Sequence, residues 1–329
     1  MTPHSTPIVA PLTDFDIVII GAGPTGLAAA VYASREGLKT VVVEKAVVGG
    51  LAAITATIDN YPGFAEGVGG LELADHLAAH AKRFGAEIRT GIDVTGLSVE
   101  ADGTVAVATA GAPMTARSVL VATGSTYKHL GIPGEAEHIG RGVHFCATCD
   151  GPVYRGRELV VVGGGNSALQ ETVFLAKFAS HITMLVRGPQ FKGSAVLIDQ
   201  VTALPNVSVR FDTEATAIVG EQLVEAVTIR NVQTGHADSL TPAGVFIFIG
   251  LYANSQPFAS VLELDERQFI VTGADFTTRL PGVYAAGDVR SGATWQIASA
   301  VGEGVSATLA IRAYLDAQAL PTAIAAAKA

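Results

Sequence analysis

The stretch FDIVII-GAGPTG-LAAAVYASR, residues Phe15–Arg35, decides the fold. Its first six residues are an apolar, β-branched run typical of a buried strand, and they lead directly into a glycine-rich turn at Gly21–Gly26. The Ala-rich run that follows is typical of a helix, and Thr40–Val43 predicts a second strand that ends at Glu44. A strand, a glycine turn, a helix and a second strand form a βαβ unit, so we expect a parallel α/β sheet.

The glycine turn has the pattern Gly21-x-Gly23-x-x-Gly26, in which each glycine has its own physical role. The first permits the tight turn, the second lets a pyrophosphate approach the backbone, and the third lets the helix pack closely against the strand. The free N–H groups at the helix N-terminus attract phosphates. Glu44 follows at the spacing at which an acid binds ribose hydroxyls, so a dinucleotide site is predicted here.

The same order of elements recurs later in the chain. Glu158–Val162 predicts a strand, Gly163–Ala168 supplies a second glycine turn, Leu169–Phe178 predicts a helix and His181–Arg187 a further strand. The chain is therefore expected to contain two dinucleotide-binding folds.

The second turn differs from the first in the residue that would meet the ribose. The position that corresponds to Glu44 is Arg187, which argues against ordinary NAD recognition. An arginine there can accommodate a 2′-phosphate, and Lys192 can assist it. The alternative is a fold that keeps its shape but has lost the nucleotide.

The remaining segments predict smaller elements. Ile88–Val121 alternates short apolar runs with Gly and Asp turns and predicts a β-meander, and Val207–Ile249 has the same character. Val283–Gly287 predicts a strand that ends in the sequence AAGD, and Ala300–Leu315 predicts a helix. Asp288, taken alone, has a helix-capping interpretation.

The composition of the chain excludes several classes of protein. Its 329 residues are enough for about two domains, and with 16% charged and 49% hydrophobic residues it is not a disordered chain. The net charge is −9 without a basic cluster, so no nucleic-acid partner is expected. The longest apolar stretches, such as Gly244–Ala253, end after about ten residues where a membrane span needs about twenty. The N-terminal segment has no leader pattern, so a cytoplasmic location without a membrane partner is expected.

The sequence Cys146-Ala147-Thr148-Cys149-Asp150 holds both cysteines of the chain. Zinc requires four ligands, and although His144 is near, there is no second cysteine pair, so no metal site is predicted. Four-cysteine iron–sulfur ligation is excluded by the count, and two inert buried thiols would be a coincidence at this spacing. A CxxC beside nucleotide folds predicts a redox dithiol, in which one thiolate attacks and the other resolves. Asp150 is placed to deliver or accept the proton when the disulfide opens.

These motifs together resemble the low-molecular-weight thioredoxin reductase family, the class II FAD-dependent pyridine nucleotide-disulfide oxidoreductases. The resemblance extends from about Phe15 to Leu315. In chain order it rests on the segments GAGPTGLAAAVYASREGL, GG followed by NYPGF at Asn60–Phe64, VLVATGS, CATCDG, VVVGGGNSA and GVYAAGDVR.

The resemblance implies an α/β fold with two Rossmann-like three-layer nucleotide-binding domains, the second inserted into the first. Residues 1–127 and 252–329 would form the FAD-binding domain, and residues 128–251 would form an inserted NAD(P)-type domain that carries the CxxC. Family members are homodimers and swing the inserted domain between two orientations, so the same is expected of this chain.

The resemblance also implies site residues. The expected FAD-binding residues are Gly21, Gly23, Pro24, Thr25, Gly26, Glu44, Lys45, Gly49, Gly50, Leu51, Asn60, Thr123, Gly124, Gly287, Asp288, Trp295, Gln296 and Ile297. Among these, Asp288 would hold the ribitol chain. Trp295 has two interpretations, packing in the core or a dimer interface, or stacking on a planar ring such as the flavin. The possible NADP residues are Gly163, Gly165, Asn166, Ser167, Ala168, Arg187 and Lys192.

The implied activity passes electrons from a donor through FAD to the dithiol and on to the disulfide of thioredoxin or a similar protein. By the resemblance, Cys149 lies near the flavin and takes the electrons, Cys146 attacks the partner disulfide, and Asp150 is the general acid. Two other functions stay open: an FAD-dependent dithiol oxidase that forms a disulfide in a small molecule, and a flavin-binding sensor without catalysis.

The electron donor is open because the sequence departs from the family at the donor site. The family pattern HRRxxxR is here Val186-Arg187-Gly188-Pro189-Gln190-Phe191-Lys192, so one arginine is Gly188 and another is Lys192. A lysine offers a point charge where arginine offers a fork, so a weaker grip on a 2′-phosphate is expected. The usual GGQ is Gly49-Gly50-Leu51, and the usual Arg-Gln-Ala is Trp295-Gln296-Ile297. The donor is therefore NADPH, ferredoxin or a second flavin.

Overall fold

A computed structural model describes residues 13–55, 58 and 60–326 of the chain, with side chains up to residue 318. Residues 1–12 of the N-terminal segment, where no leader was expected, lie outside the described residues. The described residues divide into two compact units: one comprises those up to Thr126 and from Tyr252 onward, and the other is Tyr127–Leu251. Each unit has its own sheet and its own hydrophobic core.

The predicted strands and helices occur in the predicted order along the chain, together with short elements and helices that the patterns did not predict. The strands are β1 Phe15–Ile20, β2 Thr40–Glu44, β3 Glu87–Thr90, β4 Val94–Val99, β5 Val105–Thr109, β6 Met114–Val121, β7 Ser125–Tyr127, β8 Val143–His144, β9 Glu158–Val162, β10 His181–Leu185, β11 Val207–Arg210, β12 Thr213–Val219, β13 Ala226–Asn231, β14 Ala237–Leu240, β15 Gly244–Ile247, β16 Leu251–Ala253 and β17 Val283–Ala285. The helices are α1 Pro24–Arg35, α2 Gly50–Ala53, α3 Gly70–Arg83, α4 Ala147–Asp150, α5 Asn166–Leu175, α6 Ala195–Thr202 and α7 Ile297–Ala326.

The sheet of the first unit has the order β3-β2-β1-β6-β5-β4, and β17 pairs with β6. β1 lies between β2 and β6 and is parallel to both, so it is buried on both faces. Ile17 and Ile19 face a core that includes α1 and α7, whereas Val18 and Ile20 face the core on the other side of the sheet. This alternation is the period of two that a strand imposes on its side chains.

The expected meander at residues 88–121 is only partly correct. β4, β5 and β6 are antiparallel neighbours, as a meander requires. β3 instead pairs in parallel with β2, and its register joins Val42 to Ile88. The sequence of β3 contains no sign of this pairing, because a four-residue strand is compatible with either direction.

The sheet of the second unit has the order β11-β10-β9-β15-β8, and every pairing in it is parallel. Helix α5 follows the glycine turn after β9 and contacts α6. A separate antiparallel sheet contains β12, β13 and β14. The expected meander at residues 207–249 is therefore limited to these three strands, since β11 and β15 belong to the parallel sheet.

The helix boundaries differ modestly from expectation. α1 begins at Pro24, three residues before the predicted start, because proline at the first helical position needs no backbone N–H partner. α5 runs over Asn166–Leu175 where Leu169–Phe178 was predicted, and α7 extends well beyond Ala300–Leu315. No helix in the described part of the chain has the length and apolar character needed to cross a membrane.

Candidate active site and nucleotide sites

The first glycine turn has the geometry of a phosphate cradle. Gly21 has a φ angle of +108°, and a Cβ there would collide with the carbonyl oxygen of Ala122. A Cβ on Gly26 would collide with the carbonyl oxygen of Gly21, so the third glycine allows the helix to approach the turn. Nothing lies within 4 Å of the Cβ position of Gly23, and no side chain caps the N-terminus of α1 that follows at Pro24. The backbone is therefore open where a pyrophosphate would bind.

Glu44 connects the end of β2 to this turn. Its Oε2 accepts a hydrogen bond of 2.8 Å from the Ala22 N–H, and its Oε1 accepts one of 2.8 Å from the Ala46 N–H. An ionised carboxylate has lone pairs for further donors, so Glu44 can also accept from ribose hydroxyls. Lys45 lies beside it at the surface, 3.5 Å from the Asp93 carboxylate.

The Gly49-Gly50-Leu51 segment lies directly against the glycine turn. The Gly49 N–H donates to the Ala22 carbonyl at 2.8 Å, and a Cβ on Gly50 would lie 3.5 Å from the Gly23 Cα. Leu51 is half-buried on the short helix α2. These residues therefore form one wall beside the phosphate cradle.

Thr123 and Gly124 are fixed by Asn254, a residue that the sequence analysis missed. Thr123 Oγ1 donates to the Asn254 carbonyl at 2.7 Å, and Asn254 Nδ2 donates to the Thr123 carbonyl at 2.8 Å. The Asn254 N–H also donates to the Gly124 carbonyl at 3.0 Å. No local pattern predicts this contact, because the two segments are far apart in the chain.

Glu303 of α7 organises the loop that carries Gly287 and Asp288. Its Oε2 accepts from the Gly287 N–H at 2.7 Å, and both of its oxygens accept from the Arg290 guanidinium at 2.6–2.7 Å. The loop packs on α1, since a Cβ on Gly287 would collide with Thr25 Oγ1. Glu303 was not among the predicted site residues either, although the Arg290 that follows the AAGD sequence was a usable sign of a buried acid partner.

Asp288 has the most strongly perturbed carboxyl in this region. Burial, with a smaller effect of the Glu303 charge, raises its pKa to about 6. No group among the described residues donates a hydrogen bond to its side chain. A carboxyl that lacks a protein donor is suited to accept a hydrogen bond from a hydroxyl of a bound ligand.

The structure brings Asn60 and Gln296 together from distant parts of the chain. Asn60 Nδ2 donates to Gln296 Oε1 at 3.1 Å. The adjacent Ile297 begins α7 and packs on the small core that contains Ala52 and Ile58. Three residues predicted to contact FAD therefore lie at one end of α7.

Trp295 packs against neighbouring side chains, in agreement with the first of its two interpretations, while stacking on a flavin stays a prediction. Its ring packs 6.0 Å from that of Phe269, and the Arg267 guanidinium lies 5.5 Å from its centre. Its φ angle of +54° is unusual for a non-glycine residue, and its buried Nε1 has no hydrogen-bond partner. An orphaned buried donor next to Gln296 fits a site that receives an acceptor from a bound molecule.

The residues of the first unit therefore fit FAD. The backbone is open at Gly23, where the pyrophosphate would bind, and Glu44 can accept from the ribose. The unpaired Trp295 Nε1 can donate to an acceptor atom of the ring system.

Cys146 and Cys149 form a disulfide in the second unit, with their Cα atoms 5.4 Å apart. Cys146 caps the single turn α4, where its sulfur accepts from the Cys149 N–H at 3.2 Å. Thr148 Oγ1 lies 3.4 Å from the same sulfur. The pair can thus be opened by thiol–disulfide exchange without rearrangement of a larger element.

Asp150 contacts His144, which the sequence analysis considered only as a zinc ligand. Asp150 Oδ2 lies 3.2 Å from His144 Nδ1, and the opposite ring nitrogen Nε2 lies 2.6 Å from the Tyr154 hydroxyl. Burial, with an addition from the Asp150 charge, raises the pKa of Tyr154 to about 12. The three side chains form one row of polar contacts beside the disulfide turn.

The second glycine turn repeats the geometry of the first. Gly163 has a φ angle of +144°, and a Cβ there would collide with the Phe248 carbonyl oxygen and lie 2.9 Å from Ala168 Cβ. Nothing lies within 4 Å of the Cβ position of Gly165, and Ser167 is exposed on α5. The cradle of the second turn is therefore also open.

The segment after β10 is held against this turn. Asn166 Oδ1 accepts from the Ser194 N–H at 2.7 Å, and the Lys192 N–H donates to the Gly164 carbonyl at 2.7 Å. The side chains of Arg187 and Lys192 are exposed, and neither forms a salt bridge within the described part of the chain. Two available cations therefore accompany the second cradle.

Comparison with known proteins gives consistent matches along the chain. The family described as Pyridine nucleotide-disulphide oxidoreductase matches residues 15–304. The chain is 37% identical to a thioredoxin reductase of Treponema pallidum (strain Nichols), with 92% of this chain and 98% of that protein aligned. It is 38% identical to a thioredoxin reductase of Bacillus subtilis (strain 168), over 92% and 95%. A crystal structure of thioredoxin reductase from Streptococcus pyogenes MGAS5005 superposes with a TM-score of 0.88 at 35% identity, over 92% and 98% of the two chains.

Proposed function

Because the chain belongs to the pyridine nucleotide-disulphide oxidoreductase family and is an FAD-dependent disulfide oxidoreductase of the thioredoxin reductase type, we propose that it reduces the disulfide of a thioredoxin-like protein. The observation that carries this proposal is the Cys146–Cys149 disulfide on a single helical turn that continues into Asp150. A disulfide at this spacing can be reduced and re-formed within one turn.

The first unit is proposed as the FAD-binding domain. Its glycine turn and Glu44 would hold the pyrophosphate and ribose, Asp288 would accept from the ribitol chain, and Trp295 would lie beside the ring system. FAD supplies, when bound, the electron pair that reduces the Cys146–Cys149 disulfide.

The exchange with the partner protein is proposed to proceed through the two cysteines in turn. The Cys146 thiolate attacks one sulfur of the partner disulfide, and the leaving sulfur takes the electron pair of the broken bond and a proton from Asp150. Cys149 then gives its proton to Asp150 and attacks Cys146, so the second partner sulfur leaves and takes that proton. The chain ends with its disulfide restored and the partner with two thiols.

The electron donor is proposed to be NADPH, bound by the second unit. Support comes from the open cradle at Gly165 and from the exposed, unpaired charges of Arg187 and Lys192. The 2′-phosphate grip should be weak, because Gly188 offers no charge and Lys192 offers no planar fork. Anaerobic titration with NADPH and then NADH, followed by flavin absorbance, tests this donor. Bleaching by dithionite but by neither nucleotide would exclude it and leave ferredoxin or a second flavin.

Reduction of a thioredoxin-like protein by the dithionite-reduced chain tests the activity independently of the donor. The wild-type chain should form thiols on the partner, and Cys149→Ser should stop after a trapped mixed disulfide. Wild-type protein that reduces no protein disulfide would exclude the proposed function. We also propose a homodimer in the cytoplasm, which light scattering and cell fractionation would test.

A further inference from the structure

His144 stands out in the second unit because both of its ring nitrogens are occupied by polar side chains. Nδ1 lies 3.2 Å from Asp150 Oδ2, and Nε2 lies 2.6 Å from the Tyr154 hydroxyl. The side chains of His144 and Asp150 are only 10% and 24% exposed, so water competes weakly with this contact. The row joins β8, α4 and the 3₁₀ turn Gly151–Tyr154 that follows α4.

The row is built into the fold of the second unit. His144 is the register partner of Phe246 on β15, and the two rings stack with their centres 5.1 Å apart. The Tyr154 ring meets Phe246 edge-on at 5.7 Å. A Cβ on Gly244 would lie 2.7 Å from Tyr154 Cζ, so β15 leaves space for the tyrosine only because it has glycine there. Phe246 and Tyr154 thus hold the His144 ring in place independently of its contact with Asp150.

The two contacts of His144 favour one arrangement of its ring protons. A carboxylate can only accept, so the 3.2 Å contact with Asp150 is favourable when Nδ1 carries a proton. Nε2 is then an acceptor, and the Tyr154 hydroxyl has a proton to donate because its pKa is raised to about 12. The tyrosine therefore directs the N–H of His144 at Asp150.

We propose that His144 is a positioning residue for thiol–disulfide exchange, which fixes Asp150 by its Oδ2 so that Oδ1 carries the proton to the leaving sulfur. This proposal rests on the proposed function, in which Asp150 is the general acid. Tyr154 acts one step further away by fixing the tautomer of His144. The sulfurs, the electron pair and the protons balance as in the exchange given above, because His144 keeps its own proton throughout.

Few other charged groups face this row. Asp150 and Tyr154 are the titratable groups that contact His144, and the Arg157 charge acts on Tyr154 from the same segment. From α5, Glu171 interacts with the Ala147 backbone, and burial raises its pKa. The strand β15 contributes the uncharged Phe246. Among the described residues, His144 is therefore the titratable side chain in direct contact with Asp150.

The test compares two small disulfides that differ in their leaving group. The aromatic disulfide DTNB releases a thiolate of low pKa that needs no proton, whereas bis(2-hydroxyethyl) disulfide releases a thiolate of high pKa that does. The full-length chain, reduced with dithiothreitol and freed of it anaerobically, is mixed with each probe, quenched with N-ethylmaleimide and analysed by mass spectrometry. The readout is the ratio of the two rates.

For His144→Asn we expect the rate with the hydroxyethyl disulfide to fall by about tenfold or more, with the DTNB rate unchanged within about twofold. Tyr154→Phe, which keeps the ring packed on Phe246, should give a smaller loss of the same kind. His181→Asn is the matched control, since this histidine of the same unit bonds to Ser208 away from the disulfide turn. Should His144→Asn not fold, the tyrosine variant carries the test.

The outcomes separate this proposal from the one it rests on. Equal slowing with both disulfides, or no slowing, in His144→Asn would overturn the positioning role. If Asp150→Asn slows the reaction with the hydroxyethyl disulfide selectively while His144→Asn does not, only the further inference fails. If Asp150→Asn shows no such selective slowing either, the general-acid assignment of Asp150 fails as well. The double variant should lose no more than Asp150→Asn alone, because the two residues act as one unit.

Discussion

The two glycine turns of this chain have similar backbones but different residues after them. Gly21 and Gly163 both have positive φ angles, +108° and +144°, and in both turns the second glycine faces open space. The strand after the first turn ends at Glu44, whereas the strand after the second is followed by Arg187. The comparison teaches that steric limits fix the shape of the turn, and it predicts that the charge of one later side chain distinguishes the nucleotides that the two turns bind.

The largest expected effect comes from closing one turn at a time. Gly21→Ala would place a Cβ into the Ala122 carbonyl at a φ angle that alanine rarely adopts. We expect the loss of bound flavin and a destabilisation of about 1–3 kcal/mol or more, since strained backbone alone has this cost. Gly163→Ala should leave the flavin in place and remove nucleotide binding. Flavin absorbance per chain and thermal unfolding measure both.

Gly23→Ala and Gly165→Ala are the matched controls for this experiment. Their Cβ positions face open space, so we expect folding stability to change little while phosphate binding weakens. Gly21→Ala protein that binds flavin one to one would contradict the steric interpretation of the first turn.

The second prediction concerns the pH dependence of stability that arises from Asp288 of the first unit, a carboxyl with no counterpart among the predicted residues of the second turn. The pKa of Asp288 is raised to about 6, above its unfolded value, because the charged form is buried. The folded flavin-free chain therefore binds this proton more tightly than the unfolded chain does. The resulting stability is fully present below about pH 4 and is lost as the pH rises towards about 6 and beyond, by at most about 3 kcal/mol.

Thermal unfolding of flavin-free protein between pH 4 and 7 measures this term as the difference between wild type and Asp288→Asn. The difference should favour the wild type less as the pH rises. Asp275→Asn serves as a control whose difference should stay nearly flat in this range, because the Thr277 hydroxyl lowers the pKa of Asp275 and its contribution to stability changes mainly below about pH 4. A difference that is flat across this range would show that Asp288 is not a buried charge in solution.

The comparison also shows which parts of the molecule could be predicted from sequence. Both turns, their flanking strands and the cysteine pair depend on residues within about 30 positions, so local patterns were sufficient. Glu303 and Asn254 were missed because each reaches its partner only through tertiary packing. The His144 contact depends on β8 lying beside β15 in one register, which no local pattern specifies.

Strand direction was unpredictable for the same reason. β3 and β11 were predicted as parts of meanders, yet both are edge strands that pair in parallel with their neighbours. Short strands with few apolar residues fit either arrangement, and only the position of the preceding helix decides between them.

The third prediction tests the residue that distinguishes the two turns. Arg187→Ala should weaken NADPH binding by about 10- to 100-fold, since a hydrogen bond to a charged group contributes about 1.5–3 kcal/mol. NADH binding should change little, because NADH has no 2′-phosphate. Calorimetry with both nucleotides measures the ratio. An equal loss for NADPH and NADH would mean that Arg187 does not meet the phosphate.

The smallest expected effect is a gain of affinity at the same place. Gly188→Arg would restore a second guanidinium next to Arg187, on an exposed segment whose Gly188 Cβ position has only the Gln190 carbonyl nearby, at 3.8 Å. An added exposed charge contributes about 0–1 kcal/mol, so NADPH should bind up to about fivefold more tightly. The gain should shrink with rising salt, because screening weakens exposed charges. Gly188→Gln has similar size without the charge and should give no gain, and if it matches the arginine variant, contact area rather than charge sets the affinity of the second turn.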